Sequence, residues 1–237
     1  MKKLIYTLLA TASLGAAVLP ANGEVRGGKP DWINFGFYEK ANDELASAAV
    51  DSARVVFLGN SITQFWVERR PGFFAAHPGY VGRGIAGQTT YQFLGRFRED
   101  VINLRPAVVV INAATNDVAE NTHVYDEERT FGNIVSMVEL AQANGIRVIL
   151  TTTLPAIGFG WDPTITDAPA KIAALNKRLR AYASDKNIPF VDYYSAMAAD
   201  DGSGALKPGY SNDGVHPTVE GYEVMEALIV PVINSVL

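Results

Sequence analysis

Four places in this chain carry residue types and spacings that can do chemistry. The first is Ser61, two positions after the glycine that ends the run VVFLG at 55–59. A serine hydroxyl is a poor nucleophile until a neighbouring base takes its proton. Where a strand runs into a helix, backbone N–H groups are also at hand to hold a developing oxyanion. Serine has a plainer use in such a place, as the cap of a helix over 62–68, and this stretch alone supports both readings.

The base must come from three histidines, His77, His123 and His216. His77 precedes Pro78 in a turn, and His123 lies in the polar stretch AENTHVYD. His216 stands three residues after Asp213 in SNDGVHPTVEGY, where Gly214 and Pro217 shape a turn. A histidine base needs a partner that fixes its tautomer and stabilises its protonated form, and Asp213 can be that partner. An isolated Asp-x-x-His is also an ordinary capped turn. As a metal pair it is incomplete, because no further histidine cluster or acidic ladder accompanies it. Asn116, in AATNDV, can offer its amide to an oxyanion or cap a turn. Gly87, in GIAGQTT, can offer a backbone N–H that no side chain screens, or can serve a strand-to-helix turn.

The elements that would position these groups follow from the hydropathy pattern. Runs at 54–59, 80–87, 107–114, 146–153 and 188–194 predict five strands, continuous rather than alternating, as in a sheet buried on both faces. Between them, 38–50, 88–104, 126–143, 169–186 and 219–236 predict helices, the last kinked at Pro231. Phe93, Phe97 and Val101 recur at four-residue spacing in the second of these. Alternation of this kind implies right-handed crossovers and a mainly parallel sheet, a three-layer α/β/α fold. Ligands of such sheets bind beyond the carboxyl ends of the strands. Ser61, Gly87 and Asn116 follow the first, second and third strands, and their convergence says more than any one motif.

Composition bounds the rest. Residues 1–23 have Lys2 and Lys3, an apolar run and then small residues, the order of a signal peptide, which implies export to a periplasm or the cell exterior. The apolar run from 4 to 19 is broken by Thr7, Thr11 and Ser13 and falls short of the roughly 20 residues that span a bilayer, so no stable membrane anchor is expected after cleavage. An uncleaved membrane anchor or a core helix is the alternative. Residues 24–237 then form a single domain. Loss of the two lysines takes the net charge from −5 to −7, which argues against a nucleic-acid partner. With no cysteine, disulfides, thiolate metal sites and a cysteine nucleophile are excluded, and the fold must rest on its core.

Taken together, FLGNSIT, GRGIAGQTT, NAATNDV and DGVHP resemble, in order, the four blocks of the SGNH or GDSL-type hydrolase family, over residues 54–236. The resemblance implies a flavodoxin-like SGNH hydrolase fold and acyl transfer without a cofactor or metal. It makes Ser61 the nucleophile and Asp213 and His216 its triad partners. It makes the Ser61 N–H, Gly87 and Asn116 the oxyanion hole. Two positions depart from the family pattern: Asn60 stands where an aspartate is usual, and Ala114 where a glycine is usual. Neither removes a catalytic group. No apolar lid is inserted between the blocks, and the loop with Phe159 and Trp161 is the long aromatic segment near a strand end. The expected substrate is a small-molecule or glycan ester with a short acyl group, acetyl above others, with Asn60, Phe159 and Trp161 near it. A lysophospholipase or thioesterase with the same triad, and a non-catalytic glycan-binding relative, are the alternatives.

Overall fold

The apolar runs lie side by side in one parallel sheet. The computed structural model describes residues 25–26, 29–47 and 53–237, and the expected signal peptide, 1–23, lies outside them. The strands of this sheet are β1 (Val55–Gly59), β2 (Tyr80–Gly84), β3 (Val108–Ile111), β4 (Arg147–Thr151) and β5 (Phe190–Val191), in the order β2-β1-β3-β4-β5, and a separate antiparallel pair joins Val25–Arg26 to Lys29–Pro30. All four pairings are parallel, with Val55 opposite Tyr80 on one side and Val108 on the other. Each parallel neighbour requires a crossover, which helices supply. They are α1 (Glu39–Ser47), α2 (Ser61–Arg69), α3 (Pro71–Ala76), α4 (Thr90–Asp100), α5 (Thr115–Val118), α6 (Glu127–Ala143), α7 (Ala168–Asp185), α8 (Tyr193–Met197) and α9 (Val219–Val236). The strand order reverses between β1 and β3, and the crevice at such a switch point is where sheets of this order bind ligands.

Alternate residues of each strand serve opposite faces. Val56, Leu58, Val109, Ile111 and Leu150 pack against Phe93, Phe97, Met137 and Leu175 of α4, α6 and α7. Val55, Phe57, Val108, Val110 and Ile149 meet Trp66 of α2 and Tyr222, Met225 and Ile229 of α9. Burial on both faces is why the strands read as unbroken apolar runs. The contact between α2 and α9 is polar as well as apolar. Trp66 stacks on Tyr222 with centroids 5.5 Å apart, and its indole N–H donates to Glu226 Oε1 at 3.0 Å. The Tyr222 hydroxyl donates to the Ile62 carbonyl at 2.7 Å. These bonds seat the last helix directly against the helix that begins at Ser61.

Several elements are shorter than the sequence pattern predicts. The fifth strand, expected over 188–194, ends at Val191, because Asp192 caps α8 by accepting the Ser195 N–H at 3.1 Å. The second and third stop at Gly84 and Ile111, short of 87 and 114, and release Gly87 and Asn116 into the structure beyond the sheet. The helix expected over 88–104 starts at Thr90 behind a Thr89–Gln92 capping box. It stops at Asp100, and a 3-10 turn at Ile102–Leu104 follows. Helix α3, which the pattern did not indicate, opens on Pro71, a residue suited to a first turn. Helix α9 continues through Pro231, where a kink was expected.

The first turn of α2 lies directly on β2. A methyl group at Gly84 would come within 2.5 Å of the Asn60 carbonyl oxygen and closer still to the Gln64 backbone nitrogen. Neither is the end of a flexible side chain that can swing away. Gly84→Ala should therefore destabilise the protein by roughly 1–3 kcal/mol, the usual cost of overpacking. Denaturant unfolding measures it, and an unchanged midpoint would mean that α2 is less firmly seated than this contact implies.

Candidate active site

The local chain around Ser61 separates the two uses that its position suggested. Asn60, not Ser61, is the N-cap of α2, and its Oδ1 accepts the Ile62 N–H at 3.0 Å. Ser61 is the first helical residue, and its hydroxyl is free to face across the crevice. There its Oγ lies 2.8 Å from His216 Nε2. Asn60 is 1 % exposed, so it offers almost no surface to a ligand.

The turn between Ser211 and Pro217 carries the candidate base, His216, and its partner Asp213. Asp213 Oδ2 lies 2.7 Å from His216 Nδ1. Its other oxygen accepts the backbone N–H of His216 at 2.8 Å and of Val215 at 2.9 Å, and lies 3.1 Å from Ser211 Oγ. Partial burial pushes the Asp213 carboxyl upward, but the hydrogen bonds from the His216 ring and from the two backbone amides outweigh it and hold the group well below the usual carboxylate range. An ionised Asp213 accepts a hydrogen bond from Nδ1–H, which keeps that proton on Nδ1 and leaves the lone pair of Nε2 directed at Ser61. That is the tautomer a general base requires. Phe65 flanks the His216 ring at 5.1 Å and Trp161 at 6.2 Å.

Gly87 has φ of 78° in the turn after β2, a left-handed conformation that suits glycine, and nothing lies within 4 Å of where a side chain would begin. Asn116 begins α5 with Thr115, is 2 % exposed, and donates one amide hydrogen to the Gln88 carbonyl at 2.9 Å. An amide has two hydrogens, so one stays available to a ligand while the first fixes the group. The two positions are further coupled by Asn121, whose backbone N–H donates to the Asn116 carbonyl at 3.1 Å and whose Nδ2 donates to the Gly87 carbonyl at 3.2 Å, while its Oδ1 accepts the Trp161 indole N–H at 2.9 Å. Ala114 is also in the left-handed region, with φ of 79°, which explains why glycine would be at ease there.

Of the aromatic pair, Phe159 is 3 % exposed and packs with Val118, Ile165 and Val215, so it supports Trp161 from behind and presents little surface itself. The other histidines do not enter the crevice group. His77 Nδ1 lies 2.8 Å from the Phe73 carbonyl, and His123 Nδ1 lies 2.7 Å from Thr122 Oγ1.

One residue of the site escaped the sequence reading. Arg96 of α4 is 0 % exposed. It donates to the carbonyls of Gly59 at 2.9 Å and Arg83 at 3.0 Å, to Gln88 Oε1 at 2.6 Å and to Asp100 Oδ2 at 2.7 Å. A single guanidinium thus ties the end of β1, the end of β2 and the residue after Gly87. The available signal was an arginine between Phe93 and Phe97, on the apolar side of a helix.

Known proteins resemble this chain in sequence and in fold. The model of the GDSL-like lipase/acylhydrolase family matches residues 57–224. A candidate acylhydrolase of Bacteroides fragilis has a solved structure 64% identical in sequence, with a TM-score of 0.83 over 86% of this chain and 98% of that one. A multidomain esterase of Ruminococcus flavefaciens is 31% identical over 51% of this chain. The chain spans less than half the length of the curated relatives it matches, 14% of that esterase. An acetyl-xylooligosaccharide esterase of Geobacillus stearothermophilus, 22% identical over 78% of this chain and 96% of its own, shares the fold with a TM-score of 0.62.

The low pKa of Asp213 has a definite sign in stability. Its folded value lies below the unfolded one, about 3.9 for aspartate, so its ionised form stabilises the protein above that pH. The contribution disappears as pH falls through the folded value. Wild type should exceed Asp213→Asn in unfolding free energy at pH 6, and the gap should shrink steadily below about pH 4. A gap independent of pH would mean that the carboxylate charge is not what the turn holds. Removing the cap, Asn60→Ala should cost about 1 kcal/mol at neutral pH by the same unfolding measurement.

Proposed function

The chain belongs to the GDSL-like lipase/acylhydrolase family, whose chemistry is ester hydrolysis, and we propose that it cleaves short acyl esters, acetyl above others, on carbohydrate. The observation that carries this reading is the continuous relay from Asp213 through His216 to Ser61, at 2.7 and 2.8 Å, in the crevice at the sheet's switch point. In the proposed reaction Ser61 Oγ attacks the ester carbonyl as its proton passes to His216 Nε2. Asp213 holds the ring and stabilises its positive charge. The carbonyl oxygen becomes an oxyanion, held by the N–H groups of Ser61 and Gly87 and the Asn116 amide. Collapse expels the alcohol, which leaves with the proton from His216, and the acyl group stays on Ser61. A water then repeats the sequence, deprotonated by His216, and releases the carboxylic acid and the free serine. Every charge that develops is met by a side chain or amide of the chain itself.

The short acyl preference is supported by what borders the relay. Phe65 and Trp161 flank the His216 ring, and Trp161 is fixed by its bond to Asn121. A half-buried indole beside the base suits a sugar face as the alcohol portion. The order of residues in 1–23 supports export, which would bring the protein to extracytoplasmic glycans. Among the described residues no helix is long and apolar enough to cross a membrane.

A fluorophosphonate probe should label the wild type and fail to label Ser61→Ala, whose kcat on p-nitrophenyl acetate should fall by about 10⁴-fold or more. An unlabelled wild type would indicate a binding protein. Asn116→Ala should lower kcat by about 10²–10³-fold, and a loss under tenfold would remove it from the oxyanion hole. Across p-nitrophenyl esters, kcat/KM should peak at two to four carbons, roughly the size that a lidless site accommodates. A peak at about eight carbons or longer would turn the assignment to the lysophospholipase or thioesterase class.

A further inference from the structure

A second concavity lies on the Gly87 side of the site. It has a volume of about 510 Å³ and is lined in part by Trp32, Tyr91, His123, Val124, Tyr125 and Arg129. Trp32 is 46 % exposed, one of the larger apolar surfaces that the protein shows to solvent. Its backbone is not free to drift. The Trp32 carbonyl accepts Gln92 Nε2 at 2.8 Å, and the Ile33 carbonyl accepts Gln88 Nε2 at 2.7 Å. Both glutamines belong to the segment that runs from Gly87 into α4. The indole is therefore an aromatic platform whose backbone is tied to the loop of a proposed oxyanion donor.

The other lining residues carry an unusual set of polar atoms. Tyr91 Oη, His123 Nε2 and Tyr125 Oη are shielded from solvent, and none has a hydrogen-bond partner among the described residues. Buried polar atoms are normally paired, and three unpaired ones in the lining of a single groove call for a reason. Tyr91 and His123 are in edge contact at 4.2 Å, so they form one surface. The two charged groups at the rim, Arg129 and Asp126, pair with each other at 3.2 Å and leave no net charge to select an ion.

An aromatic platform, unpaired polar atoms and a self-neutralised rim fit one ligand chemistry well, a neutral sugar ring. Its C–H face covers an indole, and its hydroxyls pair with Tyr91, His123 and Tyr125 once a small side-chain adjustment uncovers those shielded polar atoms. The groove also adjoins the catalytic crevice. Thr122, in its lining, follows Asn121, which bonds the Gly87 carbonyl and the Trp161 indole. We propose that this groove is a subsite for a neutral sugar unit of the substrate glycan, next to the unit that bears the ester. The proposal rests on the esterase reading above and names the substrate class more narrowly.

Binding can be measured apart from chemistry. Ser61→Ala is titrated by calorimetry with xylotetraose, cellotetraose and chitotetraose, which carry no scissile ester at this site. At least one should bind saturably. Trp32→Ala in the same background should weaken its Kd at least about tenfold, Trp32→Phe should recover most of the loss, and Tyr91→Phe should weaken it about threefold. With Ser61 intact, Trp32→Ala should lower the ratio of kcat/KM for acetylated xylotetraose over p-nitrophenyl acetate about tenfold, through KM. Failure of all three sugars to bind at millimolar concentration, or equal binding by Trp32→Ala, would overturn the subsite. Sugar binding without turnover of either ester would keep the subsite and overturn the esterase reading. Turnover of p-nitrophenyl acetate without sugar binding would do the reverse.

Discussion

Arg96 carries its charge in a place with no exposed surface, where an unpaired guanidinium would be prohibitively costly. It is tolerated because its donors reach the carbonyls of Gly59 and Arg83, the side chain of Gln88 and the carboxylate of Asp100. The first three acceptors are parts of the machinery: the residue two before Ser61, the penultimate residue of β2, and the residue after Gly87. Strand ends are where a sheet's hydrogen-bond ladder stops and backbone carbonyls lose their partners. Here one helix side chain bonds a carbonyl at the end of each strand, that of Gly59 also accepting the Ile85 N–H at 3.1 Å, so the ends of β1 and β2 are tied to each other. Asp100 is in turn held by Asn42 of α1, whose amide donates to it at 2.6 Å, so the network reaches to the outer layer.

The base half of the crevice is built on a different principle. The turn from Ser211 to Pro217 belongs to no strand of the sheet, and Asp213 organises it locally by accepting two backbone amides and the histidine ring. The long-range alignment comes from α9. Its Tyr222 bonds the first turn of α2, and its Glu226 accepts from Trp66 and from Arg70 at 2.9 and 2.8 Å. A buried carboxylate shared by an indole and a guanidinium is strongly directional. It sets the start of α9, and with it the loop just before, against the helix that bears Ser61. Two rigid bodies thus meet at the 2.8 Å contact between Ser61 and His216.

Much of this was legible in the sequence, for reasons that differ by residue. The strands announced themselves because a sheet covered on both faces leaves no alternation to blur them. Ser61, Asp213 and His216 stood out as candidates because few residue types can do such work and only three histidines compete, and it was the resemblance of four ordered blocks to the hydrolase family that singled them out as a triad. What escaped notice depends on contacts between segments far apart in the chain. Arg96 is one helical charge among several until its burial is known. Asn60 read as a departure from a family pattern, and the fold shows it also caps α2. Trp32 belongs to no motif, and its placement follows from two glutamine side chains some sixty residues away. The fifth strand was overextended because IPFVDYY is apolar throughout, and only the capping by Asp192 marks where extended chain becomes helix.

The proposed relay joins two residues separated by 155 positions, with four of the five strands of the parallel sheet between them. This has a consequence in time. A chain emerging from its amino end completes the serine, the glycine loop and the asparagine turn well before its base exists. Until Asp213 and His216 have followed and α9 has seated on α2, the hydroxyl is an ordinary alcohol. Latency is therefore intrinsic to the order of the fold. In the mechanism proposed above, the reactive form and the completed form arise in the same step.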